Sequence, residues 1–149
     1  MTGFRIGYVY SADLDALKNV SLASQINITN VPEFTQQAAL EAISHPDSKK
    51  FINQMYSVLR DRFYSVDEIL QNHQLNALNG GGAFYKFIHI NKDDISFSEH
   101  LLKDFSVCVV PGSAYGECGK NFIRITYAEK IEKVKEGINR IAESLNNFK

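Results

Sequence analysis

No apolar run in this chain approaches the roughly 20 residues that a membrane helix needs, so no spanning helix is expected. An excess of one charge is missing too. The 16 Lys and Arg stand against 17 Asp and Glu, for a net charge of -1. That balance gives no electrostatic case for nucleic acid or an anionic membrane as partner. Cysteine is scarce: Cys108 and Cys118 have neither C-x-x-C spacing nor a neighbouring histidine, so no metal site is expected. Two reduced thiols and a cytoplasmic location are the expectation. The opening M-T-G-F-R-I-G lacks a signal-peptide layout. Internal repeats and low-complexity tracts are absent as well. What remains is 149 residues, 44% hydrophobic, which is enough to bury a core.

The most informative stretch runs from Val109 to Ala128, V-V-P-G-S-A-Y-G-E-C-G-K-N-F-I-R-I-T-Y-A. Ser106 to Val110 is apolar and β-branched, which predicts a strand, and Pro111-Gly112 stops it. Gly112, Gly116 and Gly119 punctuate a loop. A second strand is predicted from Phe122 to Tyr127, with Phe122, Arg124 and Thr126 on one face. A cation in the middle of an apolar strand needs a carboxylate partner, an anionic ligand or an open cleft. The planar fork of Arg124 would suit a ligand carboxylate. An internal salt bridge or an exposed face is the commoner reading of a lone strand arginine, and these residues alone do not choose between the two.

The string resembles the closing segment of the class I/II (fold-type I) pyridoxal-phosphate-dependent aminotransferases. Their pattern there is P-G-[ST]-x-F-G, a short gap, and a strand bearing R-[IL]-[ST]-[YF]-A. Tyr115 stands where phenylalanine is commoner. The resemblance implies that Arg124 binds the α-carboxylate of an amino-acid substrate. A second likeness lies at the start, where M-T-G-F-R-I-G-Y is similar to the end of S-x-S-K-x-x-x-M-x-G-[WFE]-R-x-G-[YW]. By that match Arg5 binds the phosphate of pyridoxal 5'-phosphate.

The lysine of that motif, which forms the Schiff base with the cofactor, is expected upstream of Met1. No catalytic residue is therefore expected within these 149 residues, and the chain alone is expected to be inactive. The resemblance covers the whole chain but only the last two-fifths or so of a full family member. It implies amino acid and 2-oxo acid substrates and a homodimer. Two alternatives stay open: a non-catalytic stand-alone module for carboxylate binding or assembly, and a fragment of a related carbon–sulfur lyase.

The fold expected is α/β. Residues 1–46 are expected to end a large cofactor domain, and 47–149 to form a linking helix and a small C-terminal domain. Gly3 to Tyr10 reads as a strand, followed by a short helix capped by Ser11, with Leu14 and Leu17 on one face. Val31-Pro32-Glu33 starts a helix whose apolar face is Phe34, Ala38, Ala39, Ala42 and Ile43. His45-Pro46 ends it. A third helix from about Asp47 to His73 has apolar residues at three- and four-residue spacings, and at about 1.5 Å per residue it would measure roughly 40 Å. Within it Arg60 and Asp61 resemble the family's R-R-D, read here as surface charges.

Asn79 to Gly82 predicts a turn and Ala83 to Ile90 a strand. Tyr85 and His89 on that strand read as structural. Ser96-x-x-Glu99 has the spacing of a capping box, opening a helix with Leu101 and Leu102 inside. Thr126-x-x-Glu129 has the same spacing before a helix striped with Ile131, Val134, Ile138, Ile141 and Leu145. With most of its sheet missing, the 1–46 segment would expose apolar faces, which invites self-association.

Overall fold

A computed structural model describes residues 2–148; Met1, with its match to the motif's methionine, and Lys149 lie outside the described residues. The architecture is α/β as expected, with five α-helices and a three-stranded sheet among the described residues. The chain divides into two compact units, residues 1–53 and 54–149. The division falls inside a helix, Ser48–Asn72.

The first unit holds α1 (Leu14–Ile28), α2 (Glu33–Ser44) and the start of α3 (Ser48–Asn72). The strand expected over Gly3 to Tyr10 does not form; a 3-10 turn at Thr2–Phe4 is followed by irregular backbone. A strand exists by pairing, and no strand of the described residues pairs with this segment. Asp13, not Ser11, caps α1: its Oδ1 accepts the Ala16 N–H at 3.0 Å. Ser11 instead accepts the Asp13 N–H at 3.0 Å, outside the helix. α2 begins after Pro32 and stops where His45 turns extended before Pro46, as the Pro rule requires. Its expected apolar face is not a core face. Phe34 is 74% exposed, and Thr35 is the one buried residue of this unit among those described.

The second unit builds a true core. Strand β1 (Tyr85–His89) lies antiparallel to β3 (Phe122–Thr126), and β2 (Val110–Pro111) flanks β3 on the other side, giving the order β1-β3-β2. α4 (Asp94–Phe105) and α5 (Ile131–Asn147) complete the unit with the end of α3. Side chains alternate across each strand, so Ile88, Ile123 and Ile125 share one face. That face packs with Val66 and Leu70 of α3, Phe97 and Leu101 of α4, and Val134, Ile138 and Ile141 of α5. The predicted stripe of α5 is therefore its core face. Arg62 of α3 pins the end of β3 by donating to the carbonyls of Tyr127 and Ala128, the latter at 2.8 Å.

Four local expectations fail for identifiable reasons. Asp93 rather than Ser96 caps α4, because the Asp93 carboxylate takes both the Ser96 N–H at 2.8 Å and its hydroxyl at 2.7 Å. Leu102 is 55% exposed, since Asp94, Phe97 and Leu101 are the buried residues of α4. The Ser106 to Val110 strand shrinks to Val110–Pro111. Ser106, at φ 54, ends α4, and the Ser106 and Val107 N–H groups both turn back to the Leu101 carbonyl. Thr126 and Glu129 form no capping box. The Thr126 hydroxyl donates to the Phe84 carbonyl, and Glu129 accepts the N–H of Lys130, after which α5 starts.

Candidate functional site

The sheet has one helix-covered face, and Arg124 projects from the other. It sits on the central strand, opposite Phe87 of β1 and Val110 of β2. Two tyrosines bracket its guanidinium. The Arg124 Cζ lies 4.2 Å from the Tyr85 ring centroid and 4.7 Å from that of Tyr115. Each such contact is worth about 0.5–2 kcal/mol, depending on desolvation. Tyr115 is itself set edge-on against Phe87, with centroids 5.5 Å apart. The sequence read Tyr85 as structural and Tyr115 as a minor departure from a motif; the fold makes both of them walls of the arginine site.

Among the described residues the Arg124 guanidinium makes no hydrogen bond and no ion pair. The acids nearby are already engaged. Arg124 lines a cavity of about 460 Å³ on the flank of β3, together with Glu129, Lys133, Glu136 and Arg140. Glu129 accepts the Lys130 N–H at 2.8 Å and pairs with Lys133 at 3.7 Å. The Lys130 N–H first, and then the Lys133 charge, hold its carboxyl below the ordinary value. Glu136 pairs with Arg140 one helical turn along α5. Of the three origins open for a strand arginine, an internal salt bridge is thus not the one built here. The guanidinium carbon lies over two rings, and its N–H groups, which have no acceptor among the described residues, suit an anion of matching geometry.

The loop that carries Tyr115 is held by close backbone packing. A Cβ on Gly112 or on Gly119 would collide with the other residue's backbone, so both positions require glycine. Gly116, at φ 114, lies in a backbone region that side chains resist.

Arg5 belongs to the first unit and is exposed, with its backbone at φ 49 in the left-handed region. An exposed guanidinium is chemically suited to phosphate oxygens, so Arg5 is compatible with the phosphate of a cofactor such as pyridoxal phosphate. His89 packs against Phe122 with centroids 4.8 Å apart, in keeping with a structural role. Arg60 and Asp61 are exposed and 3.7 Å apart on α3. Both cysteines are exposed and free. No helix among the described residues is long and apolar enough to cross a membrane.

Two charged residues on the inward side escaped the sequence reading. Lys86 is only 2% exposed, lies 2.6 Å from the Asp67 carboxylate, and stands 3.8 Å above the Phe63 ring. Asp94 is buried at the start of α4 and accepts backbone N–H groups from the loop that carries Tyr115. Strand alternation does place Lys86 on the core face, which was the available signal. Nothing local announces Asp94, because its partners lie far along the chain.

Comparison with known proteins extends the geometry. Residues 1–141 match the family described as aminotransferase class I and II. The chain is 40% identical to a probable aspartate/prephenate aminotransferase of Aquifex aeolicus, covering 99% of this chain and 39% of that protein. It is 37% identical to the (5-formylfuran-3-yl)methyl phosphate transaminase of Methanocaldococcus jannaschii, covering 98% and 39%. The crystal structure of an aromatic aminotransferase from Pyrococcus horikoshii superposes with a TM-score of 0.84 at 33% identity, covering 99% of this chain and 40% of that one. The chain thus spans about two-fifths of the length of the curated relatives it matches. With a fold-type I architecture and this match along its length, the chain belongs to the aminotransferase class I and II family.

Proposed function

We propose that this chain is the C-terminal part of an aminotransferase that moves an amino group from an amino acid to a 2-oxo acid. Arg124 carries the reading. It is an arginine stacked on two rings, without a carboxylate partner among the described residues, at the edge of an open cavity. Such a fork binds a substrate α-carboxylate through two parallel hydrogen bonds and fixes the orientation of the Cα substituents. Arg5 binds the phosphate of pyridoxal phosphate, and residues 1–46 close the cofactor domain. Residues 47–149 bring Arg124 to the substrate on the small domain. Pyridoxal phosphate, when bound, supplies the electron sink that makes the Cα proton removable. The lysine that shuttles this proton is supplied from outside the 149 residues, which alone are inactive. A homodimer in the cytoplasm completes the reading. The exposed Tyr8, Phe34 and Ile43 support self-association.

Two experiments test this reading. Pyridoxal phosphate is added to the purified chain, which is desalted and scanned by absorption before and after an amino donor. No retained cofactor is the expected result; a retained band that bleaches with amino acid would show that a lysine of this chain serves after all. Pyruvate, a minimal 2-oxo acid, is then titrated against the chain. Binding that is lost in Arg124→Ala supports the carboxylate role, and equal binding by both proteins overturns it.

A further inference from the structure

We propose that Asp94 is the positioning residue of the Arg124 site, holding the Gly112–Gly119 loop so that Tyr115 lies over the guanidinium. The inference rests on the reading of Arg124 as a carboxylate-binding residue. Asp94 opens α4 yet does not cap it, because Asp93 already does so. Asp94 is 3% exposed, and its carboxylate is turned toward the loop. Oδ2 accepts the Ser113 N–H at 2.8 Å, and Oδ1 lies 3.4 Å from the Asn121 N–H. Ser113 is in the 3-10 turn that follows β2, and Asn121 immediately precedes β3. One carboxylate therefore ties the two ends of the same loop together.

The chain from Asp94 to Arg124 is short. Ser113 and Tyr115 share the turn Gly112–Tyr115, and Gly116 closes it by donating its N–H to the Ser113 carbonyl at 3.0 Å. The Gly112–Gly119 contact allows the loop no slack on its other side. Fixing Ser113 thus fixes where the Tyr115 ring falls, 4.7 Å from Arg124. Asn121, at φ 65, also accepts the Ile90 N–H at 2.8 Å, which joins this anchor to β1. Removing the carboxylate leaves the Ser113 and Asn121 N–H groups without that acceptor and the turn free to lift. A guanidinium that has lost one ring explores more orientations, so carboxylate binding weakens through lost preorganisation.

The test is NMR of the Arg124 side-chain Nε–Hε group in the full 149-residue chain, assigned by its absence in Arg124→Lys. Without ligand, ring currents displace this signal, and Tyr115→Ala removes the Tyr115 contribution. Asp94→Ala is expected to remove the same contribution, and the double variant Asp94→Ala/Tyr115→Ala to go no further than Tyr115→Ala. A folded Asp94→Ala chain that keeps the displacement overturns the proposal. If Asp94→Ala fails to fold, Asp94→Asn, which keeps one carbonyl acceptor, takes its place. A partial loss is then expected, and an unchanged signal overturns the proposal.

In the second arm, pyruvate is titrated. Affinity should fall about tenfold in Asp94→Ala and no further in the double variant. Additive losses would mean that Asp94 acts by a route other than Tyr115, which overturns the proposal. A lost ring-current displacement with no pyruvate response in the unchanged chain would overturn the carboxylate reading of Arg124 itself, and with it the binding half of this inference.

Discussion

The two units of this chain use amphipathic helices for different ends. In the second, the apolar stripes of α3, α4 and α5 meet one face of a sheet, and Phe97, Leu101, Ile123 and Ile138 are almost fully buried. In the first, α1 and α2 carry apolar residues as well, yet Leu14, Ile26, Phe34 and Ile43 remain exposed and Thr35 alone is buried among those described. Helix stability in proteins comes mostly from packing an apolar face, not from propensity. The second unit therefore contains the source of its own stability, and the first does not. α3 passes through both regimes. Phe51, Ile52 and Met55 near its start are exposed, while Val66 and Leu70 near its end are core.

Core truncation should show this contrast most strongly. Phe97→Ala should cost about 3–5 kcal/mol and Ile138→Ala about 2–5 kcal/mol of unfolding free energy, as large-to-small changes in a packed core do. Phe34→Ala should stay within about 0.5 kcal/mol, as surface substitutions do. Urea unfolding of the three variants measures both effects. Equal costs would mean that the first unit has a core after all, and the comparison would fail.

The buried ion pair gives the next largest effect. Lys86 is enclosed on the core face, and Asp67 neutralises it from α3. Asp67→Ala should cost about 3 kcal/mol, because it strands a buried cation. The double variant Asp67→Leu/Lys86→Met should recover most of that loss, since well-packed apolar replacements of such pairs are often neutral. If the double variant is as unstable as the single one, the pair contributes more than its own neutralisation.

Hydrogen exchange sharpens the comparison without mutation. Amides of β1, β3 and α5 should exchange only through global opening, and those of α1 and α2 through local opening at much lower free energy. Uniform protection along the chain would show that the first unit is covered in solution. Sedimentation of the same sample would then tell whether a second copy provides the cover.

How much of this was legible in the sequence depends on how local each cause is. Arg124 and its strand were readable, because alternation is a property of neighbouring residues. The stripe of α5 was readable for the same reason, through helical periodicity. Caps were less so: Asp93 and Ser96 both suit a cap, and only the path of the chain decides between them. The strand expected over Ser106 to Val110 was shortened by the way α4 ends, which consumes the N–H groups of Ser106 and Val107. The expected strand over Gly3 to Tyr10 has β-forming residues but no partner strand among those described, and propensity alone does not build a strand. Asp94 was invisible, since a turn aspartate acquires meaning only when residues 113 and 121 fold back onto it.

The smallest effect expected is a spectroscopic one, and it isolates what burial does in the second unit. Burial raises the Tyr127 phenol above the ordinary value near 10.0, and the negative charge of Asp67 adds to the rise. The hydroxyl also donates to the Ala83 carbonyl at 2.8 Å, a bond available only to the protonated form. For an acid whose folded value is raised, the folded state holds its proton longer than the unfolded state does. The stability this confers is full below about 10 and is lost as pH rises through the folded value. Ultraviolet titration at alkaline pH should thus show a late component that vanishes in Tyr127→Phe. Asp67→Asn should bring that component earlier without removing it, because the larger cause, burial, remains. A late component that disappears in Asp67→Asn would mean that charge, not burial, sets the titration of Tyr127, and that this edge of the second core is wetter than its packing implies.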